Sequence, residues 1–273
     1  MRIKLIFEFV KKISLPLILL VVLAVWGLWQ NNRQMAMMFY NRGLDLYKDK
    51  QFEQAIDEFN EAIRIHPRFA EAYDSRGMAH YYQGNYDLAI TDLTTAIEIN
   101  PQYAIAYNNR GGVYAKQGQD IQAIVDFEKA IQISPDFNWP YYNRGIIYFN
   151  QGQIDQAIAD FDKAIQIKPF PNVYAKRGLA YYKQGQYAQA IADFDKAIQI
   201  DPNFEFAEAY INRGNAYLAL GQITQAIADY DKAIQINPID ESAYYNRGLA
   251  YEKLGMQKEA DADFAKYKDL GGK

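Results

Sequence analysis

The sequence contains no cysteine and only two histidines among its 273 residues. The first absence excludes disulfides, thiolate metal sites and cysteine nucleophiles. His66 and His80 have no partner at metal-ligand spacing, so no metal site is predicted. Phosphate loops, dinucleotide fingerprints and nucleophile elbows are absent too, so we predict no catalytic residue, no cofactor and no enzyme. A net charge of −4 provides no basic excess, which argues against a nucleic-acid partner.

A glycine preceded by arginine recurs along the chain at intervals of 34, 34, 34, 33, 36 and 34 residues. A second glycine follows each of them after seven residues, except in the first repeat, where Lys50 takes that place. The glycines of the first set are Gly43, Gly77, Gly111, Gly145, Gly178, Gly214 and Gly248. Such regular self-similarity indicates an array of seven structural repeats.

Each repeat shows apolar residues at helical spacing on both sides of its second glycine. Glycine adopts left-handed backbone angles at little cost, so the chain is able to turn there between two helices. A proline ends the second helical segment in six repeats, because proline disfavours helix at the residue before it. We therefore predict that each repeat is a pair of antiparallel helices.

The repeat resembles the tetratricopeptide repeat, whose pattern is represented by Tyr107, Gly111, Tyr114, Ala123, Phe127, Ala130 and Pro135. The resemblance implies an all-α fold, a right-handed superhelical solenoid of seven antiparallel helix pairs over residues 36–270. The predicted repeats span residues 36–69, 70–103, 104–137, 138–170, 171–206, 207–240 and 241–270. Stacked repeats of this kind form a concave wall from their first helices, and relatives bind proteins or peptides there.

An acidic residue lies sixteen positions after each repeat arginine, including Asp126 after Arg110 and Asp160 after Arg144. On antiparallel helices joined midway by a turn, two such positions can face each other. We predict a structural pair that braces each hairpin or its junction with the next. The alternative is that both residues are solvated surface charges preserved by duplication.

Five repeats carry an asparagine directly before the arginine, namely Asn41, Asn109, Asn143, Asn212 and Asn246. An amide both donates and accepts hydrogen bonds, so a ladder of them is suited to holding an extended peptide backbone. The ladder resembles that of the O-linked glycosyltransferase repeats. The alternative is that the amides satisfy local helix groups. Lys176 is the only lysine beside these positions, which disfavours a clamp for a terminal carboxylate.

Aromatic residues lie beside these asparagines or one turn beyond them. The candidates for partner binding are Tyr40, Tyr81, Tyr142, Phe149, Tyr182 and Tyr245. Aromatic side chains are frequent anchors in protein interfaces. The alternative for any single ring is packing between repeats.

Residues 13–29 form a 17-residue run without a charge, which predicts a transmembrane helix after a basic segment, residues 1–12. Arg2, Lys4, Lys11 and Lys12 precede the run, so the positive-inside bias keeps the amino terminus cytoplasmic and the repeats outside. A cleaved signal peptide and a helix buried in the solenoid are the alternatives.

We therefore predict a bacterial, membrane-anchored scaffold that docks a protein or peptide partner on the concave wall. A peptide-holding chaperone or assembly factor for exported or membrane proteins is one alternative. A targeting subunit of an enzyme complex is another. The sequence does not indicate an oligomeric state.

Overall fold

The computed structural model describes residues 15–200 and 207–272, apart from the side chains of residues 15–21 and 24–29. Over this part of the chain there are fourteen helices and no strand. The predicted basic segment and residues 13 and 14 of the predicted membrane helix lie outside the described residues.

The helices alternate between first and second members of hairpins. The first members are α1 (Leu15–Lys48), α3 (Ala70–Tyr82), α5 (Ala104–Lys116), α7 (Asn138–Asn150), α9 (Pro171–Lys183), α11 (Ala207–Ala219) and α13 (Glu241–Lys253). The second members are α2 (Phe52–Ile65), α4 (Tyr86–Ile99), α6 (Asp120–Ile133), α8 (Ile154–Ile167), α10 (Tyr187–Ile200), α12 (Ile223–Ile236) and α14 (Gln257–Asp269). The predicted all-α repeat fold is confirmed for the described residues.

The turn between the two helices of a hairpin adopts the backbone conformation that the glycine pattern predicted. Gly84, between α3 and α4, has a φ of 81°. In the first hairpin Lys50 has a φ of 60°, a left-handed conformation that is uncommon for a residue with a side chain. The first turn therefore keeps the geometry of the others without their glycine.

The first set of glycines permits a close crossing of the two helices, as is seen at Gly43, Gly77, Gly145, Gly178, Gly214 and Gly248. Phe59 on α2 is fully buried, and its Cε1 would lie 2.5 Å from a Cβ added to Gly43 on α1. The same relation joins Phe161 to Gly145 in a later hairpin. An aromatic ring fills the space that the missing side chain leaves, so the two helices pack directly against each other.

Helix α1 is longer than the other first helices. It runs without a break from Leu15 to Lys48, through residues 30–35, which lie between the apolar run and the first predicted repeat. No glycine or proline interrupts that stretch, so nothing in it ends the helix. Among the helices that the structure describes, none combines the length and mean hydropathy that crossing a membrane requires.

The chain divides into two compact units, residues 1–126 and 127–273, with the boundary inside α6. In the first unit α1 contacts α3 and α3 contacts α5, and in the second α7, α9, α11 and α13 contact one another in sequence. Within each unit, the second helices α2 and α4, and α8, α10, α12 and α14, make no such contact with one another. The first helices therefore line the more closely spaced side of each unit, which we call the first-helix face.

Candidate functional site

The repeat arginines pair with the acidic residues sixteen positions later, at N–O distances of 2.6–2.8 Å in all seven hairpins. Arg110 donates from Nε to Asp126 Oδ2 and from Nη2 to Asp126 Oδ1, both at 2.8 Å. Arg144 contacts Asp160 with the same two distances. Hydrogen bonds to Asp126 raise the pKa of Arg110, against the effect of its burial. The pairs join the two helices of one hairpin.

The same arginines also reach the second helix of the preceding hairpin through their remaining nitrogen. Arg76 Nη1 donates to Asn60 at 2.6 Å, and Arg110 Nη1 donates to Thr94 at 3.0 Å. In later hairpins the acceptor is a carboxylate, as for Arg247 and Asp231 at 2.5 Å. The six guanidinium groups after that of Arg42 therefore each tie three helices together, which is a structural role.

Tyrosine rings flank these guanidinium groups. The guanidinium carbon of Arg110 lies 5.8 Å from the ring centre of Tyr107 and 5.9 Å from that of Tyr114. His80 replaces the second tyrosine in its hairpin, with Nε2 3.9 Å from Asp92 Oδ2. Burial lowers the pKa of His80, so this position is part of the hairpin packing.

Some polar groups of the first-helix face are engaged within the chain. Asn109 Nδ2 donates to Asp74 Oδ1 at 2.9 Å, and Asn109 Oδ1 accepts from Asn108 at 3.4 Å. Tyr40 and Ser75 hydroxyls lie 3.3 Å apart, one hairpin earlier. Asn143 also has a partner within the chain. The Asn109 amide therefore joins two neighbouring first helices of the first unit.

Other asparagines of the predicted ladder have amides that are available to hydrogen-bond a partner. Asn41, Asn212 and Asn246 make no hydrogen bond with the described part of the chain, and Asn41 is exposed. Ala175 lies 37 residues before Asn212, and Ile211 lies 35 residues before Asn246. Neither residue has a polar side chain. They occupy the place that Asp74 holds before Asn109. The available amides of the second unit therefore occur where the preceding repeat offers no acceptor.

The six aromatic candidates have different environments. Tyr142 is only 8% exposed and packs against Phe161 and Phe170, so its ring belongs to the core. The remaining rings are half-buried or exposed: Tyr40, Tyr81, Phe149, Tyr182 and Tyr245. Lys183 lies 4.1 Å above the ring of Phe149. Tyr245 is 41% exposed and is the most accessible of the six.

Trp139 is a further exposed aromatic residue that the sequence interpretation missed. Its side chain is 46% exposed, although it packs on Phe170 with ring centres 4.8 Å apart. It lies near the start of α7, four residues before the ladder asparagine of that repeat. The sequence does distinguish this residue, because no other repeat has tryptophan four residues before the position of the ladder asparagine.

The described residues contain no group of three His, Asp or Glu side chains arranged to hold a metal ion. Burial raises the pKa of Asp74 to about 6, and Asn109 lowers it through its hydrogen bond. Asp74 has no nucleophile or histidine among its hydrogen-bond partners. The polar groups of the first-helix face are therefore suited to hydrogen bonding rather than to proton transfer to a substrate.

Family models described as TPR repeat match residues 77–118, 113–152 and 214–255. Models described as tetratricopeptide repeat match residues 36–69, 139–170, 171–204, 194–228 and 241–270. Together these matches cover residues 36–69 and 77–270. No curated protein has a sequence that matches the chain.

Solved structures share the architecture. PilF of Pseudomonas aeruginosa is 18% identical with a TM-score of 0.70, over 83% of this chain and 99% of that one. YrrB, described as a TPR protein with an unusual peptide-binding site, is 22% identical with a TM-score of 0.58, over 66% of this chain and 92% of that one. MamA is 27% identical with a TM-score of 0.55, over 59% of this chain and 93% of that one. The first two likenesses show the fold alone.

Proposed function

Because the chain belongs to the tetratricopeptide repeat family, we propose that it is a membrane-anchored scaffold that docks a partner protein or extended peptide on its first-helix face. Repeats of this family are typically non-catalytic protein-interaction modules. One observation carries the proposal for this chain, namely the two available amides of the second unit, Asn212 and Asn246.

An available asparagine amide is suited to an extended peptide because it matches both backbone groups, an N–H and a C=O. The exposed rings of Tyr245 and Trp139 belong to first helices of the same unit and add apolar contact area. The peptide-binding site named for YrrB is a precedent on a similar fold. We therefore assign partner docking to the first helices of residues 127–273.

Amides that hold a backbone do not select side chains, which supports a second candidate, a peptide-holding chaperone or assembly factor. The two functions differ in the number of clients. A scaffold would capture one protein or one complex in constant proportion, whereas a chaperone would capture many unrelated exported or membrane proteins. Quantitative mass spectrometry of captured proteins separates them.

The membrane part of the proposal rests on the uncharged run at residues 13–29 and the four cations before it. The backbone of α1 continues from this run into the first hairpin. We propose that the amino terminus is cytoplasmic and the repeats are extracytoplasmic. Extraction of membranes at high pH tests the anchor, because a peripheral protein would be released and an anchored one retained.

The docking proposal is tested by capture from detergent-solubilised membranes with the full chain. Asn212→Ala together with Asn246→Ala should reduce the affinity for the partner about thirtyfold, since each lost amide contact costs about 1 kcal/mol. Gln189→Ala with Gln225→Ala removes two exposed amides from the second helices α10 and α12 and is the matched control. The proposal fails if no captured protein is lost with the asparagine pair and kept with the glutamine pair.

A further inference from the structure

A cavity of about 320 Å³ lies between α1 and the connector that joins α2 to α3. Met37 and Phe69 contribute apolar walls, and Arg33, His66, Arg68 and Glu71 contribute charged or polar groups. The cavity is large enough for a small polar group with an apolar attachment. It belongs to the first unit, whereas the amides assigned to partner docking belong to the second.

The polar lining favours an anion. The lining contains two arginines and one glutamate, so its formal charge is positive. Arg68 makes no hydrogen bond or ion pair with the described residues. His66 Nδ1 is buried and has no partner there either. Arg68 is therefore an available donor, and the histidine nitrogen is a buried polar atom that the chain itself does not satisfy.

Comparison with the other connectors singles out this one. Each has a proline as its second residue, and the residue after that proline is Arg68 in the first connector. The corresponding residues in the later connectors are Gln102, Asp136, Phe170, Asn203 and Ile239. A cation directly after the proline therefore occurs only in the first connector, which is the one nearest to the apolar run along the sequence.

The position of the cavity along α1 identifies the source of the anion. Arg33 comes four residues after the run ends at Trp29, which is about 6 Å along a helix. The headgroup layer on one side of a bilayer is about 5–8 Å thick. When the run spans the membrane, Arg33 lies at headgroup depth, and the cavity brings Arg68 to the same level. Met35, Met37 and Met38 are each at least 40% exposed beside it.

We propose that this cavity binds the phosphate of an anionic phospholipid headgroup, with Arg33 and Arg68 as donors and Met37 and Phe69 against the lipid's apolar part. The inference depends on the anchor in the proposed function but not on partner docking. The bound lipid fixes the first hairpin against the membrane surface. Glu71 opposes the anion and limits the affinity.

The test uses the full chain reconstituted in nanodiscs that contain equal amounts of phosphatidylglycerol and phosphatidylcholine. Native mass spectrometry counts the lipids that remain bound after release. The wild-type protein should retain phosphatidylglycerol in preference, and Arg33→Gln with Arg68→Gln should reduce that retention about tenfold. Glu71→Gln should raise it about threefold. Arg64→Gln is the matched control, because Arg64 is an exposed arginine on α2 that pairs with Glu61 outside the cavity.

Equal retention by the wild type and the double arginine variant overturns the inference, as does a loss of the same size in the Arg64 variant. A rise with Glu71→Gln excludes general unfolding as the cause of the arginine effect. Displacement of the lipid by an equal concentration of glycerol phosphate identifies a soluble phosphate compound as the occupant and also overturns it. If the protein does not insert into nanodiscs, both the proposed membrane anchor and this inference fail. Release of the protein from membranes at high pH identifies that outcome.

Discussion

Asn109 donates a 2.9 Å hydrogen bond to Asp74 across two neighbouring first helices. The acceptor carboxylate is 7% exposed and has no cationic hydrogen-bond partner. Burial raises its pKa to about 6 from an ordinary value of 3.8. One ladder amide is therefore used to support a buried acid inside the first unit.

The raised pKa of Asp74 predicts a pH dependence of stability. The folded state keeps this proton while the unfolded state loses it, so the contribution of Asp74 to stability is greatest below about pH 4 and is lost as the pH rises through about 6. Asp74→Asn retains an acceptor for Asn109 and removes the titration. The unfolding free energy of the variant relative to wild type should increase by about 2 kcal/mol between about pH 4 and pH 7. Urea denaturation followed by circular dichroism measures it, and a constant difference would contradict the account.

The arginine pairs predict a large difference between two arginine substitutions. Arg177→Gln leaves Asp193 buried without its charged partner and removes the bond to Asp162, so it should cost about 2 kcal/mol. Arg64→Gln removes an exposed pair with Glu61 and should cost less than about 0.5 kcal/mol. Urea denaturation of both variants measures the two losses in the free energy of unfolding. Equal costs would show that the three-helix contact contributes no more than a surface pair.

Two glycines in the first helices predict opposite effects of alanine. Gly43→Ala brings a Cβ to 2.5 Å from the buried ring of Phe59 and should destabilise the first unit by about 1–3 kcal/mol. Gly112, inside α5, has no atom within 4 Å of an added Cβ, so Gly112→Ala should stabilise by about 0.5–1 kcal/mol. Thermal unfolding compares the two, and a gain in stability at Gly43 would refute the close helix crossing.

The sequence predicts the fold well because the same contacts recur in every repeat. The glycine spacing predicts both the turn and the close crossing of the helices. The sixteen-residue offset predicts the pair of Arg110 with Asp126. The sequence did not reveal which ladder amides are available. That depends on the residue one repeat earlier, an acid before Asn109 but an isoleucine before Asn246, and the relation appears only when neighbouring helices are placed side by side.

Site-specific photo-crosslinking in cells is the most direct test of the first-helix face as the docking surface. A photoreactive phenylalanine replaces Trp139 or Tyr245 on this face, and replaces Gln225 on the second helix α12 as the control. The account predicts that the same partner protein is crosslinked from Trp139 and Tyr245 and not from Gln225. Crosslinking of that partner from Gln225 alone would place docking on the opposite side and contradict the account.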